Sequence, residues 1–164
     1  MLDVLFSHSY YYKFDSKQWK NQTPFPPLGT LFAASLLRQN GFSVDLFDTN
    51  LKDGPQDIEE VLKTSKPKFL VLYDDGFNYL TKMCLTKMRE AAFKMIEFGK
   101  KQDCTVIVNS SDSTDHYQKY LDKGADYIIQ GEGEQVLLEL LNKINNKENI
   151  IASGTTVIPM QIGQ

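Results

Sequence analysis

The sequence predicts an α/β fold of three layers, a five-stranded parallel sheet with helices on both faces. Three observations carry this. Short apolar runs alternate with longer stretches of helical periodicity along the whole chain, the pattern of repeated βαβ units. The central run, Phe69-Leu70-Val71-Leu72, is continuously apolar, as a strand covered on both faces is. The chain has 164 residues, 41% hydrophobic and 24% charged, enough for one domain with a core.

The elements follow in order. Asp3-Val4-Leu5-Phe6 reads as the first strand, followed by a long polar and aromatic loop, Ser7 to Pro27. A helix comes next, with Leu28, Leu31, Phe32, Ser35 and Leu36 on one face, and Asn40-Gly41 ends it. Ser43 to Phe47 is the second strand. Pro55 to Thr64 is a short helix with Pro55 in its first turn. The third strand covers Lys68 to Tyr73. The longest helix spans Leu80 to Gln102, with a stripe of Cys84, Met88, Ala91, Ala92, Met95 and Phe98-Gly99. Thr105 to Val108 is the fourth strand, Asp115 to Lys123 a helix, and Tyr127 to Ile129 the fifth strand. Val136, Leu137, Leu140, Leu141 and Ile144 form the inner stripe of a last helix. Ile150 to Gln164 loses periodicity and reads as a linker or a stray strand.

At this length the expected arrangement is flavodoxin-like (Rossmann-like), with strand order 2-1-3-4-5. Ligands of such sheets bind beyond the carboxyl ends of the strands. The loops of interest are therefore Ser7–Pro27, Tyr73–Tyr79, Asn109–Thr114 and Gln130–Gln135.

Composition excludes several classes. The net charge of −3 argues against a sequence-independent nucleic-acid partner. No apolar run approaches the roughly 20 residues of a membrane helix, and the N-terminus has Asp3 where a secretory signal would be basic. Two cysteines, Cys84 and Cys104, make neither a disulfide framework nor a four-thiolate metal site. A soluble, cytoplasmic domain with no membrane partner is expected.

Each loop has a bland and a functional reading. The first is about 20 residues where βα connections usually take two to six. Its Tyr10-Tyr11-Tyr12, Phe14, Trp19 and Phe25 either line a flat ligand or partner surface or pack on one another. Asp74 and Asp75 take a metal or cap the next helix. Asn109-Ser110-Ser111-Asp112-Ser113-Thr114 hydrogen-bonds a ligand or caps a helix, for which Asp115 also competes. Gly131 and Gly133 permit close backbone approach, and Glu132 and Glu134 suit a helix N-terminus.

Familiar signatures fail. Gly131-x-Gly133 follows the wrong strand for a dinucleotide fingerprint and lacks its third glycine. There is no phosphate-binding G-x-x-x-x-G-K-[ST]. A phosphoacceptor receiver would use Asp74, but it lacks the acids after strand one and the lysine after strand five. His8 and His116 are the only histidines, and no Cys-His or Ser-His-Asp set can be assembled.

Two segments resemble a known family. Pro26-Pro27-Leu28-Gly29, continued by Leu36, Gly41-Phe42, Val44, Leu46 and Asp48, is similar to the start of the cobalamin-binding domain of B12-dependent radical SAM enzymes. Gly124-Ala125-Asp126-Tyr127-Ile128-Ile129-Gln130-Gly131-Glu132-Gly133-Glu134 resembles a second segment of the same domain, in the same order and at the same spacing. The resemblance implies a cobalamin domain over residues 1–149. Residues 150–164 would begin the linker to a radical SAM domain. That following barrel would hold a [4Fe–4S] cluster through Cys-x-x-x-Cys-x-x-Cys, which this chain lacks, and would also bind S-adenosylmethionine. This chain would not be catalytic alone. Its parent would be a methyltransferase or a porphyrin-cyclase-like enzyme.

The cofactor residues so implied are Ser7, Tyr10, Pro27, Leu28 and Gly29 in the first loop, with the first-loop Tyr and Trp side chains as a platform for the corrin. Asp74, Asp75, Gly76 and Asn78 follow in the second. Asn109, Ser110, Ser111 and Asp112 belong to the third, and Gly131, Glu132 and Gly133 to the fourth. The sequence departs from these patterns at three places. The Asp-x-His-x-x-Gly of related B12 mutases and methionine synthase is absent around His8, as in radical SAM members generally, so no protein ligand to cobalt is expected. The family's Gly-Gly-Pro-His after strand four is replaced by Asn109-Ser110-Ser111-Asp112, and the Ser-x-Leu of other B12 domains is absent at Tyr73–Asp75. The competing reading is a non-cofactor docking module of the same fold.

Overall fold

The computed structural model describes residues 2–21, 23–74, 85–150 and 157–160. Among them, six strands form one sheet: β1 (Val4–Ser7), β2 (Val44–Phe47), β3 (Phe69–Tyr73), β4 (Thr105–Asn109), β5 (Tyr127–Ile129) and β6 (Val157–Pro159). Their order is β2-β1-β3-β4-β5-β6. The first five run parallel in the expected order. The sixth corrects the five-stranded expectation and pairs antiparallel with β5. It comes from the stretch read as linker or stray strand. Three residues are too few to show a period, and pairing fixes them, with the Met160 N–H donating to the Asp126 carbonyl at 2.8 Å. Pro159, which lacks a donor, is tolerated at such an edge.

The helices are α1 (Ser16–Trp19), α2 (Leu28–Gln39), α3 (Ile58–Ser65), α4 (Leu85–Lys101), α5 (Ser111–Asp115), α6 (Tyr117–Asp122) and α7 (Glu134–Asn145). Alternate strand residues face opposite layers. Leu70 and Leu72 pack with α3, α4 and α6 through Leu62, Met95 and Tyr120. Phe69, Val71 and Tyr73 pack with α2 and α7 through Ala33, Leu37 and Leu141. The α4 stripe buries Met88, Ala91, Ala92 and Met95 as expected. A Cβ on Gly99 would stand 2.7 Å from Leu70 Cδ2, so that glycine lets the helix lie close on the sheet. Cys84 lies outside the described residues.

Three local expectations change. The α2 residues Leu28, Leu31 and Phe32 point outward, Phe32 being 62% exposed, while Gly29, Thr30, Ala33 and Leu37 are buried. Small residues allow close approach there, and the buried Thr30 hydroxyl donates to the Tyr73 carbonyl at 2.6 Å. The helix read as Asp115–Lys123 is α6 alone, starting after His116 (φ −125°, ψ 33°) with no side-chain cap, and the stretch before it, read as a loop, forms the short α5. Ser110 caps α5: Ser110 and Ser113 each accept the other's backbone N–H, and Asp115 ends that helix and caps neither. The first loop is partly ordered by a 3-10 turn (Tyr12–Phe14) and α1, whose cap is Asp15.

Candidate functional site

At the carboxyl ends of β3, β4 and β5 the loops leave a cleft of about 490 Å³. Gly29 enters it from the start of α2. Tyr73 and Asp74 come from β3, Asn109, Ser110 and Ser111 from the end of β4, and Gly131, Glu132 and Glu134 from the turn after β5. Thr114 and Asp115 complete the wall. Parallel strands start their crossovers at the same edge, so four loops distant in sequence converge there.

Hydrogen bonds hold this edge. The Asn109 side-chain amide donates to the carbonyls of Ile129 and Gly131, both at 3.0 Å, and so clips β4 to the loop after β5. Gly133 lies directly against this clip. A Cβ there would be 2.9 Å from both Asn109 Cγ and Tyr73 Cε2. Gly131 has φ +79° and open space where a Cβ would be, so its requirement is conformational. Asp74 accepts from the Ser9 N–H at 2.7 Å and from the Ser9 hydroxyl at 2.9 and 3.0 Å. Burial outweighs these bonds and holds its carboxyl above the ordinary range. Burial also pushes the Tyr73 phenol up, helped by its bond to the Glu134 carboxylate.

The expected residues divide into groups. The structure brings Gly29, Asp74, Asn109, Ser110, Ser111, Gly131 and Glu132 to the cleft wall. Gly133 sits behind it, and Leu28, 47% exposed, adjoins Gly29 outside it. Pro27 is buried as the residue before α2. Ser7 is buried, its hydroxyl donating to the Phe47 carbonyl at 2.8 Å. Tyr10, 2% exposed, packs edge-on against Tyr12 and beside Met88. Tyr11 and Tyr12 are buried too, and Trp19 packs against Tyr12, so the tyrosines form an inner cluster and not an open platform. Asp112 turns away from the cleft to Arg89 Nε and the Tyr120 hydroxyl, each at 2.7 Å. Burial opposes its ionisation, but these two partners outweigh it and hold the carboxyl below the usual range. Asp75, Gly76 and Asn78 lie outside the described residues.

Sequence reasoning left Tyr73, Thr114, Asp115 and Glu134 out of the site. Tyr73 was detectable as the last residue of the central strand, at the edge where ligands bind. His8 is buried, with Nε2 2.9 Å from Asp48 Oδ1 and Nδ1 3.0 Å from the Thr49 hydroxyl. Among the described residues, no group of three or more His, Cys, Asp and Glu side chains is arranged to hold a metal ion. No described helix is long and apolar enough to cross a membrane.

No family model and no curated protein matches the chain. Solved structures of the cobalamin-dependent S-adenosylmethionine radical enzyme OxsB share its fold. The form with aqua-cobalamin bound superposes with a TM-score of 0.66 at 17% identity, covering 100% of this chain and 23% of that one. The form with aqua-cobalamin and S-adenosylmethionine gives 0.65 at 17% identity, covering 99% and 22%. The apo, selenomethionine-labelled form gives 0.59 at 16% identity, covering 97% and 22%. The chain thus spans under a quarter of the length of these structures, and at this identity the likeness is one of fold.

Proposed function

We propose that this chain is a cobalamin-binding domain of a cytoplasmic radical SAM enzyme and is not catalytic alone. The observation that carries the reading is convergence. Gly29, from the first of the two resembling segments, and Gly131, Glu132 and Glu134, from the second and far away in sequence, meet at one cleft beyond the carboxyl ends of the strands. The fold likeness to OxsB supports it.

The residues present fit such a group. Gly131 keeps its backbone open to a ligand, with nothing within 4 Å of a Cβ position. Gly29 brings the start of α2 to the cleft, and Ser110, Ser111, Asp74 and Glu132 offer polar groups to an amide-rich periphery. Phe25 and Leu28, both exposed, precede Gly29 in the chain and offer apolar surface for a macrocycle. His8 is engaged by Asp48 and Thr49, so this chain would hold the cofactor without a histidine on cobalt from the first loop. When bound, cobalamin supplies cobalt–carbon chemistry, while the protein binds and orients. A [4Fe–4S] cluster and S-adenosylmethionine would sit in a separate barrel, in a methyltransferase or a porphyrin-cyclase-like parent.

The test is retention of hydroxocobalamin through desalting, read from the visible spectrum. Near-stoichiometric corrin absorbance is expected, and Ser111→Trp, at an exposed wall position, is expected to abolish it. A colourless wild-type protein would overturn the reading. A non-cofactor docking module is the second reading, favoured by the outward Leu28, Leu31 and Phe32 face beside exposed Phe25. Under it the protein stays colourless, and Leu28→Gln with Phe32→Gln abolishes co-purification of a partner.

A further inference from the structure

The cleft has a marked chemical polarity. Four of its described lining residues are acidic, Asp74, Asp115, Glu132 and Glu134, and none is basic. No described cation forms an ion pair with any of them. Three of the donors nearby are used within the protein. Asn109 gives both its amide bonds to Ile129 and Gly131. The Thr114 hydroxyl donates to the Ser110 carbonyl at 3.0 Å, and the Ser9 hydroxyl to Asp74. Beside the exposed Ser111 hydroxyl, the side chains of the wall therefore present mainly acceptors and negative charge. Its complement is a ligand that brings N–H donors or positive charge, and a polycarboxylate or polyphosphate is repelled.

Resting on the cobalamin reading, we infer that this cleft selects its macrocycle by peripheral charge. It takes the amide-bearing, cationic corrinoid and rejects the same ring carrying free carboxylates. The amides donate to Glu132, Asp115 and Glu134, whereas carboxylates there would place like charges together in a partly dehydrated cleft. Asp115 and Glu132 are exposed, so they act as the adjustable part of this filter.

The experiment compares three probes by tryptophan quenching and visible titration on the wild-type chain: hydroxocobalamin, diaquocobinamide and diaquocobyrinic acid. The last two share the corrin ring and lack the nucleotide tail, and they differ in amides against carboxylates. Cobinamide is expected to bind at least about 10-fold tighter at low salt. The gap should shrink at about 0.5 M salt, where exposed charges are screened. Asp115→Asn with Glu132→Gln should narrow it with an unchanged melting temperature. Equal binding of the two, or tighter binding of the acid, overturns the charge filter and leaves the cobalamin reading standing. Cobinamide selectivity without hydroxocobalamin binding supports the filter and overturns the reading. Binding of none of the three overturns both.

Discussion

Alanine at Gly133 tests how the cleft floor is built. The backbone there has φ −106° and ψ −18°, an ordinary region for alanine, so any penalty is steric. The added methyl carbon would stand 2.9 Å from Asn109 Cγ and Tyr73 Cε2, and 3.0 Å from Asn109 Nδ2. Neither neighbour is a loose chain end. Tyr73 is buried in the sheet, and Asn109 is tied at both amide bonds. Relief requires losing those bonds, about 1 kcal/mol each, or overpacking at about 1–3 kcal/mol. A loss of about 3 kcal/mol is expected, or roughly 6–12 °C in Tm for a domain of this size. Gly131→Ala is the control. It meets nothing within 4 Å but must hold φ +79°, costing about 1 kcal/mol. Urea unfolding of the wild type and both variants gives the comparison, and corrin retention gives the functional readout. If Gly133→Ala is no more destabilising than Gly131→Ala, the close-packed floor is refuted.

Three further outcomes follow from the same geometry. Asp112→Asn removes the buried charge that the half-buried Arg89 guanidinium and the Tyr120 hydroxyl both bond, and should cost about 2 kcal/mol by urea unfolding; a loss under about 0.5 kcal/mol would refute that role. Leu37→Ala on the buried face of α2 should cost about 3 kcal/mol, whereas Phe32→Gln on its outer face should change stability by less than about 0.5 kcal/mol; similar losses would contradict the observed helix orientation. Asp74 is held above the ordinary carboxylate value of 3.8 mainly by burial, so the folded state binds its proton more tightly than the unfolded one. Its contribution is then favourable at low pH and is lost as pH rises through the folded value. Asp74→Asn should therefore gain most over wild type in Tm at neutral pH, and that advantage should fade on acidification toward 3.8; a pH-independent difference would refute it.

Much of the fold was legible because it depends on local pattern. Apolar runs such as Phe69 to Leu72 and the Met88–Met95 stripe are short-range signals, and crossover rules turn their alternation into a parallel sheet. The same rules pointed to the loops where the cleft lies. The glycines at 131 and 133 were also readable as places of special backbone need, although their two reasons, a positive φ and a close neighbour, appear only in three dimensions. Hydrophobic periodicity misled on α2. Its apolar stripe is real, but Gly29, Thr30 and Ala33 are the residues small enough to meet the sheet, and Thr30 finds its acceptor 43 positions away at Tyr73. Asp112 looked like a loop residue available to a ligand because nothing nearby in sequence announces Arg89, which α4 delivers from 23 positions away. The tyrosines at 10–12 looked like an open platform until their neighbours Met88 and Trp19 were placed.

The sequence by itself determined the alternation of elements, the order of the parallel strands and the edge where a ligand would bind, since each rests on periodicity and chain connectivity. Tertiary structure alone decided which face of α2 is covered, which carboxylates face the cleft and which are paired inside. Those outcomes depend on close approach and on partners distant in sequence, which no local pattern encodes.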